Sequence, residues 1–334
     1  VTDSFGGGIT FGYPIDENQS ISAGLNIDQT EVTTGPYVST YVRDYLLANG
    51  GKIKGQGNYC STNKLMSQWD IDKAKDPTLV RPQDPPVGYF DSLCVNAGNA
   101  DVGFTPFDNQ FGGEFLTYNL NLGWSYNTLN RPVFPTSGMS HRVNGEIALP
   151  GSDVEYQKLT YDAQAFLPLP YDFVLRGYGK LGYGNDLPFY KNFYAGGFGS
   201  VRGYDNSTLG PKYPGVTYNE SRQKDYDPEE VGGNALVQFG AELALPLPFK
   251  GDWTRQVRPV VFAEGAQVFD TQCSVPGGNL YLNGNAGVDA KQYCEDNFGF
   301  DAENFRYSVG VGFTWITMIG PLSLSYAYPL NDKP

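Results

Sequence analysis

The feature that most constrains this chain is a strict alternation of apolar and polar residues. Residues 116–126 read Leu-Thr-Tyr-Asn-Leu-Asn-Leu-Gly-Trp-Ser-Tyr, so every second side chain is large and apolar or aromatic. Because successive side chains of a strand point to opposite faces, this period predicts a β-strand with one apolar and one polar face. The same alternation predicts about ten strands, at 8–13, 21–27, 116–126, 143–149, 159–165, 173–181, 235–243, 257–269, 305–315 and 322–328.

The polar face of these strands separates a membrane barrel from a soluble β-protein. It carries mainly Asn, Ser, Thr, Gln and Gly, whereas the exposed face of a soluble sandwich carries many Lys and Glu side chains. The few charges on this face include Arg176, Lys180, Glu242, Glu264 and Arg306. Outer-membrane barrels place aromatic girdles near the strand ends, and this chain has Tyr13, Trp124, Tyr126, Trp315, Tyr326 and Tyr328 there.

Connections between the predicted strands alternate in length. Short ones at 14–19, 127–138, 168–172, 246–256 and 317–321 alternate with longer ones at 28–113, 184–232 and 271–304 and with a brief one at 150–153. Such asymmetry is typical of outer-membrane barrels, and no run approaches the roughly 20 apolar residues of a membrane helix. We therefore predict an all-β fold, an antiparallel transmembrane β-barrel, over a soluble β-domain.

The glycine-rich stretch 192–211 contains no recognised nucleotide or catalytic motif. Its Gly197-Phe198-Gly199 lacks the third glycine of a dinucleotide fingerprint, and no apolar helix follows. A nucleophile at Ser200 would need a histidine base, and the only histidine, His141, has no evident link to this stretch. The cysteines lack zinc spacing, and a net charge of −13 disfavours nucleic acid. We predict no metal, no other cofactor and no nucleic-acid partner.

The four cysteines, Cys60, Cys94, Cys273 and Cys294, lie in two predicted long loops. Four cysteines allow three pairings, and the sequence-near one joins Cys60 to Cys94 and Cys273 to Cys294. Both segments are polar, so we predict exposed loops that are crosslinked in an oxidising compartment. The alternative is a set of free thiols in the cytosol.

A short helix is predicted inside the first long loop. Residues 38–47 place Val38, Tyr41, Val42, Tyr45 and Leu46 at helical spacing, and Asn49-Gly50 follows as a stop signal. Two interpretations stay open: a helix on the rim that shields the mouth of the barrel, or an apolar anchor for the loop.

Several motifs together resemble the BamA family, the barrel subunits of the machinery that assembles β-barrels in Gram-negative outer membranes. Val201-Arg202-Gly203-Tyr204 is similar to the signature of the sixth loop of that family. Further similarity lies at 130–138, 149–156, 193–197, 208–211, 231–235 and 320–329, so it covers nearly the whole chain outside the long loops. The four-residue motif alone is also similar to related transporters.

The resemblance implies a role for the glycine-rich stretch. In the family this loop folds back into the lumen, where the motif arginine pairs with acids on the inner wall. The matching residues are Arg202, Glu242 and Glu264, of which both acids lie on the polar phase of their predicted strands. Glu264 departs from the family, where aspartate is usual, and its extra methylene is expected to alter the geometry around the arginine.

The resemblance also implies a membrane insertase that is not an enzyme. Its expected partners are unfolded outer-membrane proteins, the accessory lipoproteins of the machinery, and outer-membrane lipids with lipopolysaccharide; its expected location is the outer membrane of a Gram-negative bacterium. Alternatives are a barrel like that of the translocation and assembly module, a two-partner secretion transporter, a passive porin, or, more remotely, a soluble lectin-like domain.

Family barrels have sixteen strands behind five periplasmic POTRA domains. By the resemblance, residues 1–334 correspond to strands six through fifteen, a barrel domain that is incomplete at both ends and lacks the upstream POTRA domains. Such a sheet is expected to have two unpaired edges.

Overall fold

The computed structural model describes residues 1–34, 39–55, 58–60, 65–67, 92–94, 110–213, 229–247, 256–273, 279–282 and 285–331. Its main feature is one antiparallel sheet with ten long strands, which confirms the predicted fold class and all ten predicted strands. The strands are β1 (Thr2–Pro14), β2 (Gln19–Thr33), β3 (Gln110–Asn127), β4 (Gly138–Ala148), β5 (Gln157–Pro168), β6 (Val174–Asn185), β7 (Ala235–Ala244), β8 (Val257–Phe269), β9 (Arg306–Thr317) and β10 (Gly320–Pro329).

The long strands follow one another in the sheet in chain order, each antiparallel to the next. This meander is the simplest way to satisfy backbone hydrogen bonds in a membrane, because every strand pairs with its sequence neighbour. Among the described residues, β1 and β10 each pair with one long strand, so the sheet is open and not closed into a barrel. A short strand, Lys52–Gly55, extends the sheet beside the start of β3 and pairs in turn with Asn58–Cys60.

The two faces of the sheet differ as the alternation predicts. One face, called here the outer face, exposes large apolar side chains on most of the long strands, for example Ile9, Leu25 and Val311 at 66%, 59% and 54% exposure. The opposite, inner face carries buried polar side chains such as Asn119 and Gln238. This distribution is that of a lipid-facing outside and a polar lumen. None of the described helices is long and apolar enough to cross a membrane.

The connections after β1, β3, β5, β7 and β9 lie at one end of the sheet, and those after β2, β4, β6 and β8, three of which are long, lie at the other. The connection between β6 and β7, residues 186–234, is called loop six below. Helix α1 (Thr40–Ala48) lies in the β2–β3 connection and α2 (Ala290–Asn297) in the β8–β9 connection. Short strand pairs in the connections are Leu65–Ser67 with Ser92–Cys94, Lys212–Tyr213 with Glu229–Glu230, and Asn279–Leu282 with Asn285–Asp289. In the described part of the connections, single 3₁₀ turns lie at Phe189–Lys191 and Ala302–Asn304, and Pro170–Asp172 forms a tight turn in which Tyr171 has a φ of +63°.

The hydrophobic core lies where loop six and α1 pack on the inner face. Leu46 of α1, Phe115 of β3, Val201 of loop six and Ala266 of β8 are all fully buried in it. The predicted helix is therefore confirmed, at Thr40–Ala48, with Ser39 as its N-cap. Its buried face packs on loop six, because Tyr41 stacks on Tyr213 with ring centroids 4.9 Å apart. The helix thus anchors its own connection and covers loop six.

One of the two predicted disulfides is present. Cys273, just after β8, is bonded to Cys294 of α2, and both are buried. The predicted Cys60–Cys94 pair lies outside the described side chains. We expect non-reducing peptide mapping of the oxidised protein to recover both sequence-near pairs, since each closes a polar loop that has little core of its own. A peptide that joins Cys60 to Cys273 would contradict this pairing.

Candidate functional site

Loop six crosses the inner face as a series of glycine turns. Backbone pairing between Phe193 and Gly233 joins its two ends, and pairing between Ala195 and Leu209 closes the inner segment that carries the motif. Between those pairs the chain must turn sharply within a narrow space. Gly203 has a φ of +95°, and a Cβ there would lie 3.2 Å from the Cβ of Ala327, so the position favours glycine on both counts.

Arg202 is the centre of the contact between loop six and the sheet. Its Nη2 donates to Glu242 at 2.8 Å, and its Nε donates to Glu264 at 2.9 Å. Nη2 also pairs with Glu264, and the backbone N–H of Arg202 donates to the other oxygen of Glu264 at 2.9 Å. One planar guanidinium therefore joins carboxylates from two neighbouring strands, which a lysine ammonium cannot reproduce.

The wall around these carboxylates supports them. Arg176 of β6 faces Glu242 across the sheet and donates to it at 2.8 Å. The Tyr178 hydroxyl donates to Glu264. Beneath the arginine, the Phe262 ring centroid lies 3.4 Å from the guanidinium carbon, so the cation stacks on an aromatic face. Each carboxylate thus has a second donor besides Arg202.

The side chains of the cluster are largely shielded from solvent, which strengthens their charge pairing. The Arg202 and Glu242 side chains are 14% exposed and that of Glu264 is 4% exposed. Burial alone lowers the pKa of Arg202, but the hydrogen bonds and charges of Glu264 and Glu242 outweigh it and raise the pKa above its ordinary value. Arg202 therefore stays protonated at physiological pH.

Residues on either side of Arg202, namely Ser200 just before the motif and Tyr204 within it, also hold the loop against the sheet. The Gln238 amide donates to the Ser200 carbonyl at 3.2 Å, and Ser200 donates back to Gln238 at 3.3 Å. On the other side, the Tyr204 hydroxyl lies 3.0 Å from the Tyr307 carbonyl oxygen and 3.1 Å from Asn331 Oδ1, so its one proton has two acceptors within reach. The motif thus contacts β7, β8 and β9.

A second attachment holds the beginning of loop six. Lys191 Nζ lies 2.9 Å from Glu146 of β4, and the Tyr156 hydroxyl donates to the same carboxylate oxygen at 2.5 Å. Lys158 donates to the Lys191 carbonyl at 2.6 Å and lies 4.5 Å from the centroid of the Phe193 ring. Loop six is therefore held by ion pairs at two separate places on the inner wall.

Between the two attachments, the loop lies directly on β6. A Cβ at Gly182 would lie 2.5 Å from the Phe193 ring, so only glycine lets this ring rest on the strand. We expect Gly182→Ala to lift Phe193 and to increase protease cleavage of loop six several-fold. Gly177→Ala is the matched control, because a Cβ at Gly177 on the same strand meets nothing within 4 Å. Equal cleavage in the two variants would contradict this packing argument.

The structure brings together the three site residues that the resemblance implied. Arg202, Glu242 and Glu264 form one cluster, and the extra methylene of Glu264 leaves both its oxygens bonded to Arg202. Several other residues of the site were not predicted from the sequence. These are Tyr178, Phe262 and Arg176 in the cluster, and Glu146, Tyr156, Lys158 and Lys191 in the second attachment. The alternation along its strand predicted that Arg176 lies on the polar face. Its pairing with Glu242 could not be predicted, because that requires knowing the register between the two strands.

Residues singled out for other chemistry are not assembled into a site. His141 bonds Tyr161 at 2.8 Å on the outer face and stacks beside its ring. Within the described ranges, one group of potential metal ligands occurs, Asp270 with Cys273 and Cys294, but both sulfurs are consumed by the disulfide. The expectation of no cofactor stays an expectation.

Comparison with known proteins identifies the family. The Omp85 superfamily domain matches residues 1–334. The chain is 38% identical over 263 residues to outer membrane protein assembly factor BamA of Neisseria meningitidis, covering 72% of this chain and 31% of that protein. It is 31% identical over 227 residues to a sorting and assembly machinery component 50 homolog of Mus musculus, covering 66% of this chain and 42% of that protein.

A solved structure agrees with the sequence comparisons. The crystal structure of Haemophilus ducreyi BamA lacking POTRA domains 1–3 superposes with a TM-score of 0.67 at 27% identity, over 99% of this chain and 52% of that one. The chain thus spans about half or less of the proteins it matches. The family match over the whole length, together with the shared sheet, shows that this chain belongs to the Omp85 superfamily.

Proposed function

We propose that this chain is part of the barrel of an insertase that folds β-barrel proteins into the outer membrane of a Gram-negative bacterium. The observation that carries the proposal is the docked motif arginine: Arg202 bridges Glu242 and Glu264, so loop six is fixed to the wall of a barrel that resembles assembly factors. The similarity to the Neisseria meningitidis protein favours a bacterial location, although animal proteins also match.

The proposed mechanism uses the sheet and not a covalent step. An incoming strand has unsatisfied backbone groups that are costly in lipid, and pairing within a closing barrel satisfies them. Folding is therefore downhill without nucleotide hydrolysis, and we propose no enzymatic activity. Docked loop six stiffens β7, β8 and β9, the strands it contacts, so that the barrel keeps its shape while other strands rearrange.

The proposed partners are unfolded outer-membrane proteins, accessory lipoproteins, and outer-membrane lipids with lipopolysaccharide. The large apolar side chains on the outer face would contact the lipid, because that face exposes residues such as Leu181, Tyr183 and Phe313. The long connections at the opposite end from the short turns would lie outside the cell.

Complementation tests the proposal. The full-length protein that contains this chain would be expressed in a bacterium depleted of its own assembly factor, and folded outer-membrane proteins would be quantified by heat-modifiable gel migration. Restored folding supports an insertase. No restoration, together with large steady conductance in planar bilayers, would indicate a passive pore; secretion of one dedicated substrate would indicate a secretion transporter.

A further inference from the structure

A cavity of about 890 Å³ lies on the inner side of the sheet, beside docked loop six. Its wall includes Phe198, Ser200 and Arg202 of the loop, and at the short-turn end it is lined by Pro132 and Phe134 of the β3–β4 turn. Its volume is within the roughly 300–1,000 Å³ range of ligand sites. The cavity is therefore large enough to hold more than ordered water.

The charge of the cavity wall is opposite to that of the chain. Five cations line it, Arg142, Arg176, Lys180, Arg202 and Arg258, against the three carboxylates Asp162, Glu242 and Glu264. The chain as a whole has a net charge of −13. An acidic protein that concentrates cations in one concave place provides an electrostatic site for anions.

The carboxylates do not neutralise these cations evenly. Glu242 and Glu264 pair with Arg176 and Arg202, as described above. That leaves Asp162 as the one other wall carboxylate, and it faces Arg142 on one neighbouring strand and Lys180 on the other. Within the described ranges neither cation forms an ion pair with it, so both keep their donors for a ligand.

Arg258 is the best-placed cation for a ligand. Its Nη1 donates to the Pro135 carbonyl at 2.9 Å, and its guanidinium carbon lies 5.6 Å from the Phe134 ring centroid and 5.9 Å from that of Phe166. The side chain is thus oriented by a backbone oxygen and two rings, and in the described part of the chain it has no carboxylate partner. An arginine has five N–H donors, so four are left to bind an anion.

We infer that this cavity binds a carboxylate-rich segment of a polypeptide. Cations set among proline and aromatic side chains suit a peptide, which offers both carboxylates and apolar surface. One connection of this chain is an example of such a segment: residues 270–305 contain six Asp and Glu against one Lys. The ligand's identity as a folding substrate rests on the proposed function, whereas binding itself does not.

The experiment measures binding of a fluorescent tetraglutamate peptide to the full-length protein in nanodiscs, by anisotropy. We expect saturable binding that weakens with salt, no binding of tetralysine, and about tenfold weaker binding in Arg258→Gln. Lys291→Gln is the matched control, because it removes one positive charge on α2, outside the cavity. Heat-modifiable migration verifies that each variant is folded.

Three results would overturn the inference: no saturable binding to the unmodified protein, equal losses in Arg258→Gln and Lys291→Gln, or displacement of the peptide by inorganic phosphate at similar concentration, which would mark a small-anion site. The complementation assay is independent of these results. If the protein complements but does not bind the peptide, the cavity ligand alone is rejected. If it binds the peptide but does not complement, the insertase function alone is rejected.

Discussion

Arg202→Ala is expected to detach loop six from the inner wall and to impair assembly of outer-membrane proteins, while the ten long strands still form. Removing the guanidinium leaves Glu264, whose side chain is 4% exposed, without its cation. Breaking a buried pair from one side costs about 3–5 kcal/mol, and water in a polar lumen lowers that figure. The strands keep their backbone hydrogen bonds, which do not involve this side chain.

Two measurements separate loss of the loop contact from loss of the barrel. Protease access to loop six should rise strongly in Arg202→Ala, and heat-modifiable migration should persist. Arg202→Lys should restore docking in part, because an ammonium replaces the charge but cannot bridge two carboxylates with a planar fork. Lys212→Ala is the control: Lys212 also lies in loop six, but its pair with Glu230 is exposed and contributes little. Unchanged protease protection and full growth in Arg202→Ala would mean that the cluster has no role in docking.

Strand positions could be predicted from this sequence because one face must be apolar and the other polar. That constraint repeats every two residues, so it identifies strands such as β3 and β9 without any knowledge of their neighbours. Strand ends were less well defined. β2 continues to Thr33, beyond the predicted 21–27, because it pairs with β3 along its whole length. Pairing between strands is non-local and leaves no local signal.

The candidate site was predictable only where strand phase and a motif were both informative. Phase placed Glu242 and Glu264 on the inner face, and the motif selected Arg202. Phe262 was missed because an aromatic residue on the polar phase looks like an exception, although it stacks under the guanidinium. The Glu146–Lys191 pair was missed because it joins a strand to a loop 45 residues away, and no motif marks either residue.

Glu264→Ala is expected to be more damaging than Glu242→Ala, although both carboxylates contact the same arginine. Glu264 accepts from the backbone N–H and the guanidinium of Arg202 and from the Tyr178 hydroxyl. Its removal leaves a backbone donor and a hydroxyl without their partner in addition to weakening the charge pair. We expect a cost of about 3–5 kcal/mol, as for other buried pairs broken from one side.

Glu242→Ala should cost less because its partners have other acceptors. Arg202 keeps Glu264, and Arg176 keeps Gln164 at 3.1 Å and is 33% exposed, so water can solvate it. We expect a cost of about 1–3 kcal/mol, that of a lost charged hydrogen bond.

The measurement for both substitutions is the rate of proteolysis of loop six in each variant. In a double-mutant cycle, the free-energy cost of Arg202→Ala combined with Glu264→Ala should be smaller than the sum of the two single costs. Each single change already leaves the other charged group without its partner. Additive effects, or a larger effect of Glu242→Ala, would show that the glycine turns and aromatic packing hold loop six and that the ion pairs do not contribute.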